Sequence, residues 1–198
     1  VVIVDGHIEV VLSAPDPALE QARLWQSMEQ GMHEHRMGRV ARDVVRLIQT
    51  GVAPTQVAAF SAGWDATHAE YGPGHPTAVA ADVCRYLDRY TGTDAAYPLV
   101  QALDISSFST RRLPSRARPE PVAPGKDEAL AGIRFRAMVE AEDAAGAEAL
   151  IRGALAAGWG PDIVLPWMFQ SVGEHFLDFG HQLIYLTKAV ELLDRVGW

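Results

Sequence analysis

The side chains best suited to chemistry in this sequence are histidines, of which there are seven in 198 residues. Four of them occur in two matched settings. His68 and His175 each continue an apolar stripe at helical spacing, and His75 and His181 each follow a glycine and open a new helix. On one straight helix the members of each successive pair would stand about 10 Å apart, too far to share an ion. Because a break separates them, two helices can fold back and bring the histidines together.

The preceding helix supplies a third inward position in each half of the chain. His33 lies one turn before Met37 on the apolar face, and Glu140 occupies the matching place in the second half. Imidazole and carboxylate groups bind iron, manganese, zinc or copper, and helical bundles build such sites from facing helices. We therefore predict a transition-metal site, with iron favoured and haem as the alternative cofactor. The predicted ligands are His33, His68, His75, Glu140, His175 and His181, with Glu29, Glu174 and Asp178 nearby.

A structural role, as helix caps or interhelix hydrogen bonds, is the alternative for these histidines. Neither the Glu-x-x-His pair of ferritin-like di-iron proteins nor the His-Glu-x-x-His of zinc proteases occurs. The four histidines expected to be buried and mutually close are His68, His75, His175 and His181. We expect His7, in a hairpin, to be exposed, and also His35, which lies about 200° around the helix from His33.

Aromatic residues near these positions predict an apolar pocket. Trp64 and Trp167 precede the two helix-ending histidines by one or two turns, and Tyr185 follows His181 on its helix face. These three are the candidate walls of a substrate pocket, with plain core packing as the alternative. The single cysteine, Cys84, is predicted to be a buried and inert thiol.

The helices that position these residues recur along the chain. A shift of 107 residues places Gly51, Pro54 and His68 on the same residue types, and a shift of 106 does so for Gly74 and His75. The repeated unit predicts three helices. Helix A covers Leu19–Thr50 and Asp127–Ala157, with an interruption near Gly146 as the alternative for the second copy. Helix B covers Thr55–Tyr71 and Asp162–Phe179, and helix C covers Pro76–Tyr90 and His181–Val196.

The predicted fold is all-α, with two pseudo-repeated three-helix units forming a helical bundle and a short N-terminal β-hairpin. The hairpin occupies residues 1–12, where β-branched runs flank Asp5 and Gly6. Repeat 1 then spans 13–109, with Asp16 capping the first helix and a weaker helix at its end, and repeat 2 spans 127–198.

Residues 110–126 are predicted to be an extended linker, because prolines at this density stop both helices and central strands. Four arginines make this segment locally basic. A solvated loop is the leading interpretation, and an anion-binding arm is the alternative.

Composition narrows the possible functions. The formal net charge of -8 argues against nucleic acid as a partner, and one cysteine excludes disulfide scaffolds and four-cysteine metal sites. No apolar run is long enough to span a membrane, and no secretory signal is evident, so a cytoplasmic protein is expected.

Two segments resemble known families. The N-terminal VVIVDGHIEVVLS resembles the closing strands of a Rieske ferredoxin domain, although the cluster-binding Cys-x-His motifs are absent. The segments HEHRMGRVARDVV, AGWDATHAEYGPGH and VGEHFLDFGHQLIYLTKAVELLDRVGW are similar to questin-oxidase-like helical oxidoreductases, and this chain is shorter than those proteins. Both resemblances imply redox chemistry, with a redox domain as a partner.

The resulting expectation is a metal-dependent oxidoreductase that acts on a small apolar or aromatic molecule. The alternative is a non-catalytic helical interaction module whose histidines are structural.

Overall fold

The computed structural model describes residues 16–70, 72–111 and 113–198, together with the backbone of residues 2–4 and 7–9. Nine α-helices account for most of this part of the chain. Their bounds are α1 Pro17–His33, α2 Met37–Gln49, α3 Pro54–His68, α4 His75–Tyr86, α5 Ala96–Thr110, α6 Glu128–Glu140, α7 Ala144–Ala156, α8 Pro161–Glu174 and α9 His181–Val196. Short 3-10 turns, Gly92–Ala95 and Asp178–Gly180, precede α5 and α9. The all-α prediction is therefore confirmed for the helical part of the chain.

The N-terminal segment forms two short strands. The backbone of β1 (Val2–Val4) pairs antiparallel with that of β2 (His7–Glu9). The predicted turn at Asp5 and Gly6, and the side chain of His7, lie outside the described residues.

Helix A is not one helix in either half of the chain, so the prediction of a continuous helix is wrong; in the second half the break lies just before Gly146, where an interruption was the alternative. The chain breaks after His33 and again after Glu140, so each half begins with two helices. His35 and Glu142 adopt the left-handed region, with φ of 51° and 57°, and backbone hydrogen bonds close both turns. Neither residue is a glycine, so the ordinary helix-stop signal is absent at these turns. Helix B is also shorter than predicted, since α3 ends at His68 and α8 at Glu174.

Helix bounds recur at the spacing found in the sequence. The starts of α2 and α7, and of α3 and α8, are 107 residues apart, and those of α4 and α9 are 106 apart. The cap geometry recurs too, with Gly51 at φ 92° and Gly158 at φ 85°. Each half thus has four matched helices where three were expected. α5 has no counterpart among the described residues of the second half.

The main core belongs to the first half of the chain. α5 packs against α2, α3 and α4, and the residues with no exposed surface include Val44, Val57, Leu99 and Leu103. A smaller cluster in the second half centres on Phe135, Ala147 and Leu150. No helix among the described residues is long and apolar enough to cross a membrane.

Helices α4 and α9 join the two halves. They lie side by side and run parallel, because contacts along α4 meet α9 in the same order. Asp82 contacts Lys188 at 2.6 Å, and Arg85 contacts Glu191 at 2.9 Å. Each of these residues therefore faces its own counterpart at the 106-residue shift, with the opposite charge.

The linker is largely exposed, yet its backbone is bonded to both halves. The amide of Arg116 donates to the carbonyl of Thr67 at 2.6 Å, and that of Val122 donates to Ala149 at 2.9 Å. Described residues 113–126 contain no helix or strand, in agreement with the prolines. The segment is thus held against α3 and α7.

Candidate functional site

The six predicted ligands form three separate pairs. His33 lies with His68, Glu140 lies with His175, and His75 lies with His181. The first two pairs are counterparts of each other at the 107-residue shift. The third joins the two halves. The side chains do not converge on one point, because each pair lies at a different helix junction.

The first pair is built around Trp64. Its indole stacks on His68 with ring centres 4.0 Å apart and donates to the hydroxyl of Thr110 at 2.7 Å. The ring of His33 meets both Trp64 and His68 edge-on, at 4.6 and 5.4 Å. Nδ1 of His68 also lies 3.0 Å from the Trp64 carbonyl, so this ring is packed and hydrogen-bonded at the end of α3.

The second pair is an exposed ionic contact. Nε2 of His175 lies 2.9 Å from the Glu140 carboxylate, and Arg136 pairs with Glu174 beside it at 2.8 Å. Both members are nearly half exposed. Such contacts at the surface contribute little to stability.

The third pair lies where α4 and α9 begin. The rings of His75 and His181 are 5.6 Å apart, and the Tyr185 hydroxyl lies 3.1 Å from Nδ1 of His75. Burial raises the pKa of the Tyr185 phenol, and the carboxylates of Asp178 and Asp65 raise it further. The phenol therefore stays protonated at neutral pH, and its hydroxyl can donate to His75 or accept from it, depending on the tautomer of the imidazole.

The burial expected for the histidines is confirmed only at His68, which is 8% exposed. His75 and His175 are exposed and His181 is half-buried, so the expectation is wrong for these three. They lie at helix ends, as His68 does, but His68 has the Trp64 indole stacked on its ring, whereas His75 and His181 meet edge-on and His175 pairs with a half-exposed Glu140. His33 is exposed for a related reason: the break after it rotates the chain out of register with Met37.

His35 is also placed differently from the prediction. It is half-buried, and its Nδ1 lies 2.9 Å from the hydroxyl of Ser107. The ring of His35 also contacts the ring of Phe108 edge-on. The helical angle from His33 does not apply to it, because His35 lies in the turn after α1.

Among the described residues, no group of three or more histidine, cysteine or carboxylate side chains is arranged to hold a metal ion. Glu29 is exposed on α1. Asp178 accepts a hydrogen bond from Nδ1 of His181 through its backbone carbonyl. The metal-ligand assignment stays a prediction.

Of the three predicted pocket walls, the two tryptophans are packed among other side chains, and the assignment of a substrate pocket stays a prediction. Trp64 is 5% exposed within the main core. Trp167 crosses α6 at Gly132, where an added Cβ would overlap its indole, and contacts Phe135 and Trp159. Tyr185 lies with the third histidine pair, away from both tryptophans. Cys84 is buried, as predicted.

An open cavity lies beneath the linker, between the end of α3 and helices α6, α7 and α8. We call it the linker cavity, and its volume is about 480 Å³. Its apolar wall is formed by Ala66, Pro73, Phe135, Ala147, Ile151 and Met168. Its polar wall is formed by Thr67, Arg116, Arg118, Glu148 and Arg152.

The polar wall carries more positive than negative charge. Arg116 lies 3.5 Å from Glu148, and the guanidinium of Arg152 donates to the carbonyl of Pro119. Arg118 is exposed at the rim. Two of these arginines belong to the linker, where the local basic character was the available sequence signal. Arg152 was not singled out, since its place opposite the linker depends on the tertiary fold.

Comparison of this chain with known proteins identified no relative. No protein-family model, curated protein or solved structure matches it.

Proposed function

We propose that this protein binds a small anionic molecule with an apolar body in the linker cavity. The observation that carries the proposal is the division of this cavity into an apolar wall and an arginine wall. A chain of net charge -8 that gathers three arginines against one glutamate has a local field suited to an anion.

The chemistry of the two walls defines the ligand class. Guanidinium groups bind carboxylates and phosphates through paired hydrogen bonds. Side chains such as Phe135 and Met168 offer apolar surface to the remainder of the ligand. The volume is within the range of about 300–1,000 Å³ usual for small-molecule sites. An aliphatic or aromatic carboxylate meets both requirements.

The test compares decanoate with decanol, which share the apolar chain and differ in charge. We expect calorimetry to show decanoate binding, and the double variant Arg116→Gln/Arg118→Gln to weaken it by about tenfold. Arg111→Gln is the matched control, because Arg111 lies over Phe108 outside the cavity. Equal affinity for acid and alcohol, or no binding of either, would contradict the proposal.

A metal-dependent oxidoreductase, with iron as the favoured ion, is the second candidate function. What supports it is the third pair, where His75, His181 and the Tyr185 hydroxyl come together from both halves of the chain. Two imidazoles are suitable ligands for a transition metal, which would supply the redox chemistry. The resemblance to questin-oxidase-like proteins adds to this candidate, with a small apolar substrate and a redox domain as its partners.

Metal analysis distinguishes this candidate from anion binding. After purification and reconstitution with ferrous iron, we expect about one equivalent bound, reduced strongly in His75→Ala/His181→Ala. His35→Gln is the control, since His35 is not among the predicted ligands and contacts Ser107 at another junction. Less than about a tenth of an equivalent in the unmodified chain excludes this function and leaves anion binding untouched.

We also infer that the two halves are copies of one unit, joined through α4 and α9. The matched helix starts, the recurring left-handed caps and the counterpart contacts along α4 and α9 support this duplication.

A further inference from the structure

An apolar groove runs over one face of the second half. It lies between α7, α8 and α9, has a volume of about 480 Å³, and its described lining residues carry no charge. Val164 and Leu186 form a buried floor, whereas Leu155 and Trp198 at the rim are 48% and 51% exposed. We call this feature the α7–α9 groove.

The matching face of the first half is covered. Six groove residues have counterparts, at the 107- or 106-residue shift, that are buried in the main core. The groove residues are Ile151, Val164, Leu165, Leu186, Ala189 and Val190. Their counterparts are Val44, Val57, Ala58, Ala80, Val83 and Cys84.

Helix α5 packs on the three helices that carry these counterparts. It packs against α2, α3 and α4, and buries Leu99 and Leu103 among their side chains. Ser106 of α5 also contacts Ser61 of α3, with the hydroxyl oxygens 2.9 Å apart. In the second half, α7, α8 and α9 form the matching three-helix surface, and no helix among the described residues lies over it.

We propose that the α7–α9 groove binds a helix with the pattern of α5, in the orientation that α5 takes on the first half. This inference rests on the duplication proposed above. It does not require anion binding in the linker cavity, although Ile151 and Met168 line both features. The bound helix presents small and aliphatic residues at three- and four-residue spacing, as Ala96, Leu99, Ala102 and Leu103 do. A face without charge matches a groove without charge.

The two three-helix surfaces differ at one position that matters for the bound helix. Met168 occupies the place of Ser61 and lines the groove with a larger, apolar side chain. It offers no hydroxyl to a partner like Ser106, and it leaves less room. The helix that fits this groove therefore carries alanine or glycine where α5 has Ser106.

The probe for this inference is a capped, fluorescein-labelled peptide of residues 93–110 carrying Ser106→Ala. We expect saturable binding by fluorescence anisotropy, and a rise in Kd of at least about tenfold for Leu165→Asp, which places a charge in the groove. Leu130→Asp is the matched control, because Leu130 is 56% exposed on α6 and lies outside the groove. A peptide that also carries Leu103→Asp should not bind.

A second variant distinguishes a blocked groove from a loss of folding. Ala189→Trp fills the groove with an apolar ring, and we expect it to abolish peptide binding while circular dichroism and the melting temperature stay close to those of the unmodified chain. Absence of binding to the unmodified chain overturns the inference. The inference is also overturned if the peptide binds and neither Leu165→Asp nor Ala189→Trp weakens the binding. The peptide would then occupy another site, such as the surface of α2, α3 and α4 that α5 covers. Decanoate binding is measured on the same samples, so failure of one proposal is separated from failure of the other.

Discussion

At the scale of single residues, Asp65 is the carboxylate on which the start of α4 depends. It is 1% exposed, and one of its oxygens accepts from the amides of Gly74 and Thr77 and from the Thr77 hydroxyl, at 2.9, 3.3 and 2.8 Å. Negative charge at a helix N-terminus is also favoured by the helix dipole. The residue thereby determines where His75 is placed.

We expect Asp65→Ala to lower the free energy of unfolding by about 1–3 kcal/mol, because the buried amide of Thr77 and the partly buried amide of Gly74 lose their acceptor. Asp65→Asn keeps an oxygen acceptor and should cost less. Urea denaturation measures both. Asp88→Ala, at an exposed ion pair with Arg195, serves as control and should change stability by less than about 1 kcal/mol. A loss at Asp65 no larger than that of the control would contradict the capping role.

The thiol of Cys84 gives a pH-dependent prediction. Burial raises the pKa of this thiol, with a smaller opposing effect from Arg195. The unfolded chain therefore releases the proton at lower pH than the folded chain does. This contribution to stability is intact below the ordinary thiol pKa and is lost as the pH rises toward the raised one.

We expect urea denaturation to show stability falling between about pH 8 and 10, and Cys84→Ala to show a shallower fall. The readout is the slope with pH, so a constant cost from the missing sulfur does not affect it. Tyr185, whose pKa is also raised, acts in the same direction at higher pH. Identical slopes for the two proteins would refute the role of the thiol.

At the scale of elements, the contact between α4 and α9 depends on opposite charges at matched positions. Asp82 and Lys188 are counterparts, and two copies with the same residue there would place like charges face to face. The hydrogen bonds to Asp82 and Glu191 raise the pKa of Lys188, so its ammonium persists well into alkaline pH.

We expect Asp82→Lys to destabilise the protein by about 1 kcal/mol, and the added change Lys188→Asp to restore most of that loss. A double-mutant cycle by chemical denaturation measures the coupling. The effect should shrink in about 1 M salt, because screening is then strong. A coupling unchanged by salt, or absent, would show that the pair does not join these helices.

Helix starts and helix ends differ in how far they follow from local sequence. Asp16 caps α1, with Pro17 as its first residue, as predicted. The break after α1 was not predictable, because His35 adopts a left-handed conformation without being a glycine. Its contact with Ser107 of α5 comes from a helix far along the chain.

At the scale of the whole molecule, the linker is hydrogen-bonded to both halves and lies over the linker cavity. Gly153 on α7 has no room for a Cβ, because the carbonyl of Val122 lies against it. The close approach of the linker to α7 therefore requires glycine at position 153.

We expect Gly153→Ala to push the linker off α7, to speed trypsin cleavage after Arg116, and to weaken decanoate binding. Limited proteolysis followed by mass spectrometry measures the first effect. Gly173→Ala is the matched control, since a Cβ there meets nothing within 4 Å and alanine favours a helix. Equal cleavage rates in the two variants would show that the linker is not held at Gly153.

The sequence by itself determined the helical class, the linker and the spacing at which helix starts recur, as at Pro54 and Pro161. These features depend on backbone restriction and side-chain periodicity over a few residues, so they can be inferred locally. Only the tertiary structure decided that His75 meets His181 and that the described residues leave the α7–α9 groove uncovered. Those features depend on which helices pack together across about a hundred residues, and identical local patterns allow either outcome.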